Sequence, residues 1–156
     1  MDGHEGTEAI VVELTDATRA GADHERLRTL VRSVLAAEGV LQAEVGLHLV
    51  GERRMAALNA DYRGVHGVTD VLSFPLEEPG DPVPAGVPRL LGDVVVCPVQ
   101  ARRQATADGT PPAFELALLV THGLLHLLGW EHDDDPGDMA LRQGQILADW
   151  DWSGLW

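Results

Sequence analysis

An α+β fold, with a mixed four-stranded sheet packed with about five helices, is predicted by three features of the sequence. Short β-branched runs alternate with segments of helical spacing over the first hundred residues. A long apolar segment near the C-terminus is bounded by a Pro pair and a Gly, and few long connections separate the elements. The chain has 156 residues, a length that fits one domain spanning residues 1–156 with a sizeable core.

Taken in order, residues 8–14 form a β-branched run and read as a strand. Leu27, Leu30, Val31, Val34 and Leu35 then recur at helical spacing. Residues 44–50 alternate apolar and polar as a half-buried strand does, and Met55, Leu58 and Tyr62 mark a second helix. Residues 68–74 and 90–99 are two further β runs. Between them, the Pro, Gly and acidic content of residues 77–88 predicts a flexible loop. Residues 100–109 predict a helix that stops at Gly109, and Pro111 and Pro112 open the next, which runs to a Gly129 stop. Met139, Leu141, Ile146 and Leu147 predict a last helix over 136–149, followed by an aromatic tail over 150–156 with Trp150, Trp152 and Trp156.

Composition narrows function. Eleven basic residues, all Arg, face 25 acidic ones, for a formal charge of -14. That balance disfavours a protein that coats nucleic acid, DNA included, because nonspecific affinity grows with the number of phosphates neutralised. A phosphate-bearing substrate needs a local Arg cluster within the acidic surface. Cys97 is the single cysteine, which excludes an internal disulfide and a Cys-rich metal cluster. No apolar run approaches the roughly 20 residues of a membrane span, and the N-terminus has no secretory pattern, so a soluble cytoplasmic protein is expected.

Chemistry concentrates at residues 121–135, THGLLHLLGWEHDDD. His122 and His126 stand at i and i+4 on one helix face. Gly129 ends the helix and lets the chain reverse, so His132 can approach the same point. Three imidazoles suit one zinc ion with an open fourth position, the arrangement of catalytic rather than structural sites. Nickel, cobalt and copper suit such ligands too. Individually each histidine is also compatible with a hydrogen-bonded core residue. Two of them among Leu124, Leu125, Leu127 and Leu128 are costly without partners. The H-x-x-G-x-x-H tail matches metzincin proteases, but Gly123 stands where those enzymes need a general-base Glu.

The segment from His122 to His132 resembles the H-G-x-L-H-L-x-G signature of the YbeY family of endoribonucleases. Asn59-Ala60-Asp61-Tyr62-Arg63-Gly64, with Thr69-Asp70-Val71-Leu72-Ser73-Phe74-Pro75, resembles that family's second hallmark, and residues 91–96 resemble its Gly-Asp strand. The resemblance covers roughly residues 45–150. It implies a metal-dependent endoribonuclease specific for single strands, acting in ribosomal RNA maturation at the 3′ end of 16S rRNA and in ribosome quality control. It implies His122, His126 and His132 as zinc ligands, Arg63 as the catalytic arginine, and the ribosome or its small subunit as a partner. A planar guanidinium at Arg63 can bind two phosphate oxygens as charge builds on them.

This sequence departs from the family in having Gly64-Val65-His66-Gly67-Val68 where basic residues and a Pro are common, and Trp130 and Glu131 before the last His. A hydrolase of another substrate and a non-catalytic, zinc-stabilised assembly factor are the competing functions. Asp70 and Ser73 read as structural support, Glu115 as a solvated helix residue, Asp133, Asp134 and Asp135 as a solvated turn, and Arg102 and Arg103 as candidate phosphate contacts. Cys97 is expected to pack at a strand end.

Overall fold

A computed structural model describes residues 9–78, 81–130 and 136–156. Four strands, β1 (Ile10–Asp16), β2 (Ala43–Leu49), β3 (Val71–Pro75) and β4 (Arg89–Val96), form one sheet in the order β1-β2-β4-β3. β1, β2 and β4 run parallel, and β3 pairs antiparallel with β4, so the sheet is mixed as the pattern predicts. Among the described residues five helices accompany it: α1 (His24–Ala37), α2 (Glu52–Arg63), α3 (Pro98–Asp108), α4 (Pro112–Leu127) and α5 (Pro136–Ala148).

Strand alternation sorts the two faces. Ile10 and Val12 of β1, Val45 and Leu47 of β2, and Val94 and Val96 of β4 point into the main core, whereas Val11 and Glu13 point out. The five apolar residues that predict α1 are all fully buried, and the Asp23 side chain caps the helix by accepting from the Arg26 amide at 3.0 Å. Each fully buried leucine contributes about 1.5–3 kcal/mol relative to exposure.

α4 lies at the centre of the helical layer, in contact with α1, α3, α5, β3 and β4. It is apolar nearly all round, the signature of a buried helix. α2 covers part of the opposite sheet face, over a smaller core of Val50, Met55, Leu72, Val95 and Cys97. Cys97 is fully buried between β4 and α3, at the strand end as expected.

The aromatic tail is part of the packing. The Asp23 amide donates to the Leu155 carbonyl at 2.8 Å, and the Trp156 indole donates to the Ala20 carbonyl at 2.8 Å. Trp152 meets Phe114 edge-on at 5.4 Å, which seats the C-terminus on α4. Among the described residues no helix is long and apolar enough to cross a membrane.

Candidate active site

His122 and His126 stand one turn apart near the C-terminal end of α4. Their Nε2 atoms are 3.1 Å apart and their ring planes cross at 81°. The helix ends here by design of its backbone. Gly129, at φ 99°, turns left-handed, its amide donates to the His126 carbonyl at 3.0 Å, and the Trp130 amide donates to the Leu125 carbonyl at 3.0 Å. That pair of bonds is a Schellman stop, and Gly suits the left-handed position because it has no Cβ. The turn is anchored from α1. Glu38 accepts from the Trp130 indole and from the Arg142 guanidinium, each at 2.7 Å, tying the ends of α1 and α4 to α5.

α5 also reaches the histidines directly. Nδ1 of His122 donates to Oε1 of Gln143 at 3.2 Å, and Gln143 is buried. With the proton held on Nδ1, the Nε2 lone pair faces His126. Nothing in the sequence pattern singled out Gln143.

Gly123 has a packing role. A Cβ there would come 2.5 Å from Cγ1 of Val94, 3.2 Å from Cγ2 of Val71 and 3.3 Å from Oγ of Ser73. The helix therefore rests on β3 and β4 through bare backbone, and Ser73 Oγ donates to the Gly123 carbonyl at 2.8 Å. A protease-type Glu at this position would be driven into the sheet. Ser73 acts as the structural support expected of it while lining the cleft.

Arg63 arrives from the other side. α2 ends at Arg63 because Gly64 adopts the left-handed conformation and donates its amide to the Ala60 carbonyl at 3.0 Å. The following loop is held by Asn59, which is buried and donates from Nδ2 to the Gly67 carbonyl at 3.0 Å. Asp70 closes the loop through its carbonyl, which accepts from the Cys97 amide at 2.9 Å. The first residue of the Asn59-to-Gly64 motif thus sets the loop, and its fifth, Arg63, reaches the cleft.

An open cleft of about 540 Å³ brings these parts together. Tyr62, Arg63, Thr69, Asp70 and Ser73 line one side, His122 and His126 the other. Of the four site residues expected from sequence, Arg63, His122 and His126 share this cleft, and His132 lies outside the described residues, as do Asp133, Asp134 and Asp135. Among the described residues no group of three His, Cys, Asp or Glu side chains converges as a metal cage.

One expectation is corrected. Glu115 is 4% exposed rather than solvated, because the first turn of α4 is packed against its neighbours. Burial pushes its carboxyl above the ordinary value of 4.5, and the Asp108 and Asp70 carboxylates push it the same way. Arg102 and Arg103 are engaged within the protein: Arg102 stacks on Trp156 at 4.0 Å, and Arg103 pairs with Glu52 at 2.7 Å.

The fold and the cleft define a class: a single-domain α+β protein with paired imidazoles and a guanidinium facing one open groove. Known proteins share more than that outline. Residues 13–151 match the family model for Endoribonuclease YbeY. Among curated relatives, the Endoribonuclease YbeY of Thermobifida fusca is 42% identical over 89% of this chain and 93% of its own length, and that of Moorella thermoacetica is 48% identical over 78% and 83%. A solution structure from Thermotoga maritima superposes with a TM-score of 0.64 at 26% identity, covering 88% of this chain and 87% of that one. The chain belongs to the Endoribonuclease YbeY family.

Proposed function

We propose that this protein is a metal-dependent endoribonuclease that cleaves single-stranded RNA in ribosomal RNA maturation, with zinc held by His122, His126 and His132 and with Arg63 as the catalytic arginine. The observation that carries the proposal is the approach of the two Nε2 atoms to 3.1 Å in the cleft that Arg63 also lines. Two nitrogens bound at about 2.0–2.1 Å to a tetrahedral zinc stand about 3.3 Å apart, so the spacing fits a shared ion. Gln143 supports the reading, since a metal-ligating histidine typically has its other ring nitrogen fixed by a hydrogen-bond acceptor. The relatives' name supplies the substrate class.

Zinc bound there supplies Lewis-acid activation of an attacking oxygen, either water or the neighbouring 2′-hydroxyl. The protein's own residues do the positioning. Arg63 sets its planar guanidinium against the phosphate and offsets the charge that builds there. Gly123 and Ser73 fix the histidine-bearing helix against the cleft wall. Cytoplasmic action, ribosome quality control, a target at the 3′ end of 16S rRNA and association with the small subunit belong to the same proposal.

The test is cleavage of a single-stranded RNA with and without chelator, in wild type and Arg63→Ala. The expected result is chelator-sensitive cleavage that drops about 10²–10³-fold in Arg63→Ala with zinc content retained. Equal cleavage by the two proteins would remove Arg63 from the mechanism. A 2′,3′-cyclic phosphate product identifies the 2′-hydroxyl as nucleophile; its absence at the earliest times identifies water.

A further inference from the structure

The arginines of this acidic chain divide into two groups. Arg28, Arg89, Arg103 and Arg142 pair with carboxylates, Arg26 and Arg32 donate to backbone carbonyls, and Arg102 stacks on Trp156. Among the described residues Arg19, Arg53, Arg54 and Arg63 have no such partner. Three of those four lie on α2. A guanidinium left uncommitted in a chain of charge -14 is available to an outside anion, and α2 concentrates them.

α2 faces two clefts. Arg63 and Tyr62 line the one that holds His122 and His126. Arg54 and Leu58 line a second, of about 520 Å³, on the outer sheet face, with Phe74, Val50 and Val95 as its apolar walls. Arg54, Leu58 and Tyr62 follow one another at i, i+4 and i+8, a single stripe along the helix. The two clefts meet at an aromatic step. Tyr62 lies 4.4 Å from Phe74 at a tilt of 50°, and it is 53% exposed, so it borders the first cleft while touching the wall of the second.

We infer that this outer cleft is a second RNA subsite, in which a base of the single strand stacks at the Tyr62–Phe74 step and Arg54 takes a phosphate removed from the one at Arg63. The two arginines are nine residue steps apart, two and a half turns and about 13 Å along the axis, so they leave α2 on opposite sides toward the two clefts. At roughly 3.4 Å per phosphate of a stacked strand, that spacing spans at least about four nucleotides. The chemistry suits an unpaired strand, because an exposed aromatic ring accepts any base that is free of a duplex. Asp93 at the far end of the cleft is held by His48, whose Nε2 is 2.7 Å from Oδ1, and Glu13 and Glu44 lie beyond it on the sheet. These acidic groups repel phosphates and confine the strand to the α2 side. The assignment rests on the endoribonuclease reading for its ligand.

The test is binding of a fluorescent 12-nucleotide poly-uridine strand in chelator over a series of salt concentrations, followed by cleavage of the same strand with zinc restored. Arg54→Ala is compared with Arg19→Ala, which removes the same charge from an exposed position away from both clefts. The slope of log affinity against log salt is expected to fall by about 0.7 in Arg54→Ala and to stay at the wild-type value in Arg19→Ala. Tyr62→Leu, which retains an apolar contact with Phe74, is expected to weaken binding at least fivefold with the slope unchanged. Identical slopes in the two arginine variants, with wild type cleaving the strand, overturn the subsite and leave the endoribonuclease standing. An Arg54-dependent slope without cleavage by wild type keeps the strand site and overturns the nuclease.

Discussion

Gly123→Ala separates a packing glycine from an ordinary one by the sign of its effect. On an exposed helix surface, replacing Gly by Ala stabilises by up to about 1 kcal/mol. Here the new methyl carbon would stand 2.5 Å from Val94 Cγ1, where ordinary contacts begin near 3.4 Å, and it would crowd Val71 and Ser73 as well. Roughly 1 Å of movement is required, in a region where Val94 is fully buried and the helix is enclosed. Overpacking costs about 1–3 kcal/mol, and a contact this close to a fully buried side chain belongs in the upper part of that range, about 2–3 kcal/mol, which outweighs the propensity gain and leaves a net loss of about 1–2 kcal/mol. For a chain this long, thermal unfolding should shift down by about 2–8 °C. Differential scanning calorimetry of the two proteins measures it. A melting temperature equal to or above that of wild type would refute the close contact between α4 and the β3–β4 pair, and with it the account of why the histidine helix sits where it does.

Removing the side-chain amide in Gln143→Ala should lower zinc affinity by about 10–100-fold in competition with a chromophoric chelator, because His122 loses the partner that fixes its ring; affinity within twofold of wild type would contradict that role. Glu115 gives a pH signature. Its folded-state value is raised, so the folded protein binds more protons than the unfolded chain, and stability falls as pH rises from 4.5 through the folded value, then levels. Glu115→Gln should abolish that decline in urea unfolding measured across the acid range, and an unaltered profile would show that another group causes it.

How much was readable beforehand depended on whether a residue's role is local. The i, i+4 spacing of His122 and His126 and the stop at Gly129 are helix properties, and the structure places all three as the sequence implies. Arg63 was singled out through family motifs, and its arrival opposite the histidines follows from the Gly64 stop and the Asn59 tether. The roles of Gln143 and Glu115 depend on tertiary packing. Gln143 is one polar residue among several on α5, and only the packing of α5 on α4 gives it His122 as a partner. Glu115 lies seven residues before His122, and spacing along one helix does not decide between solvent and burial; the neighbouring elements bury it. Arg102 and Arg103 show the same dependence: their partners in the fold, Trp156 and Glu52, are distant in sequence, and no local pattern points to them.

Gly123 joins the two levels. In the sequence it excludes a protease mechanism by lacking a carboxylate, and in the fold no larger side chain fits without displacing the sheet. Chemistry and packing select the same residue, which weakens the competing reading as a peptidase.

Zinc content and RNA cleavage, measured together in wild type and His126→Ala, test the metal site and the reaction at once. One zinc per wild-type chain is expected, with cleavage abolished by chelator and restored by added zinc. Both zinc and cleavage should be lost in His126→Ala, with the thermal transition retained. Full cleavage by a metal-free wild-type protein, or zinc bound equally well without His126, would contradict a catalytic ion shared by these histidines.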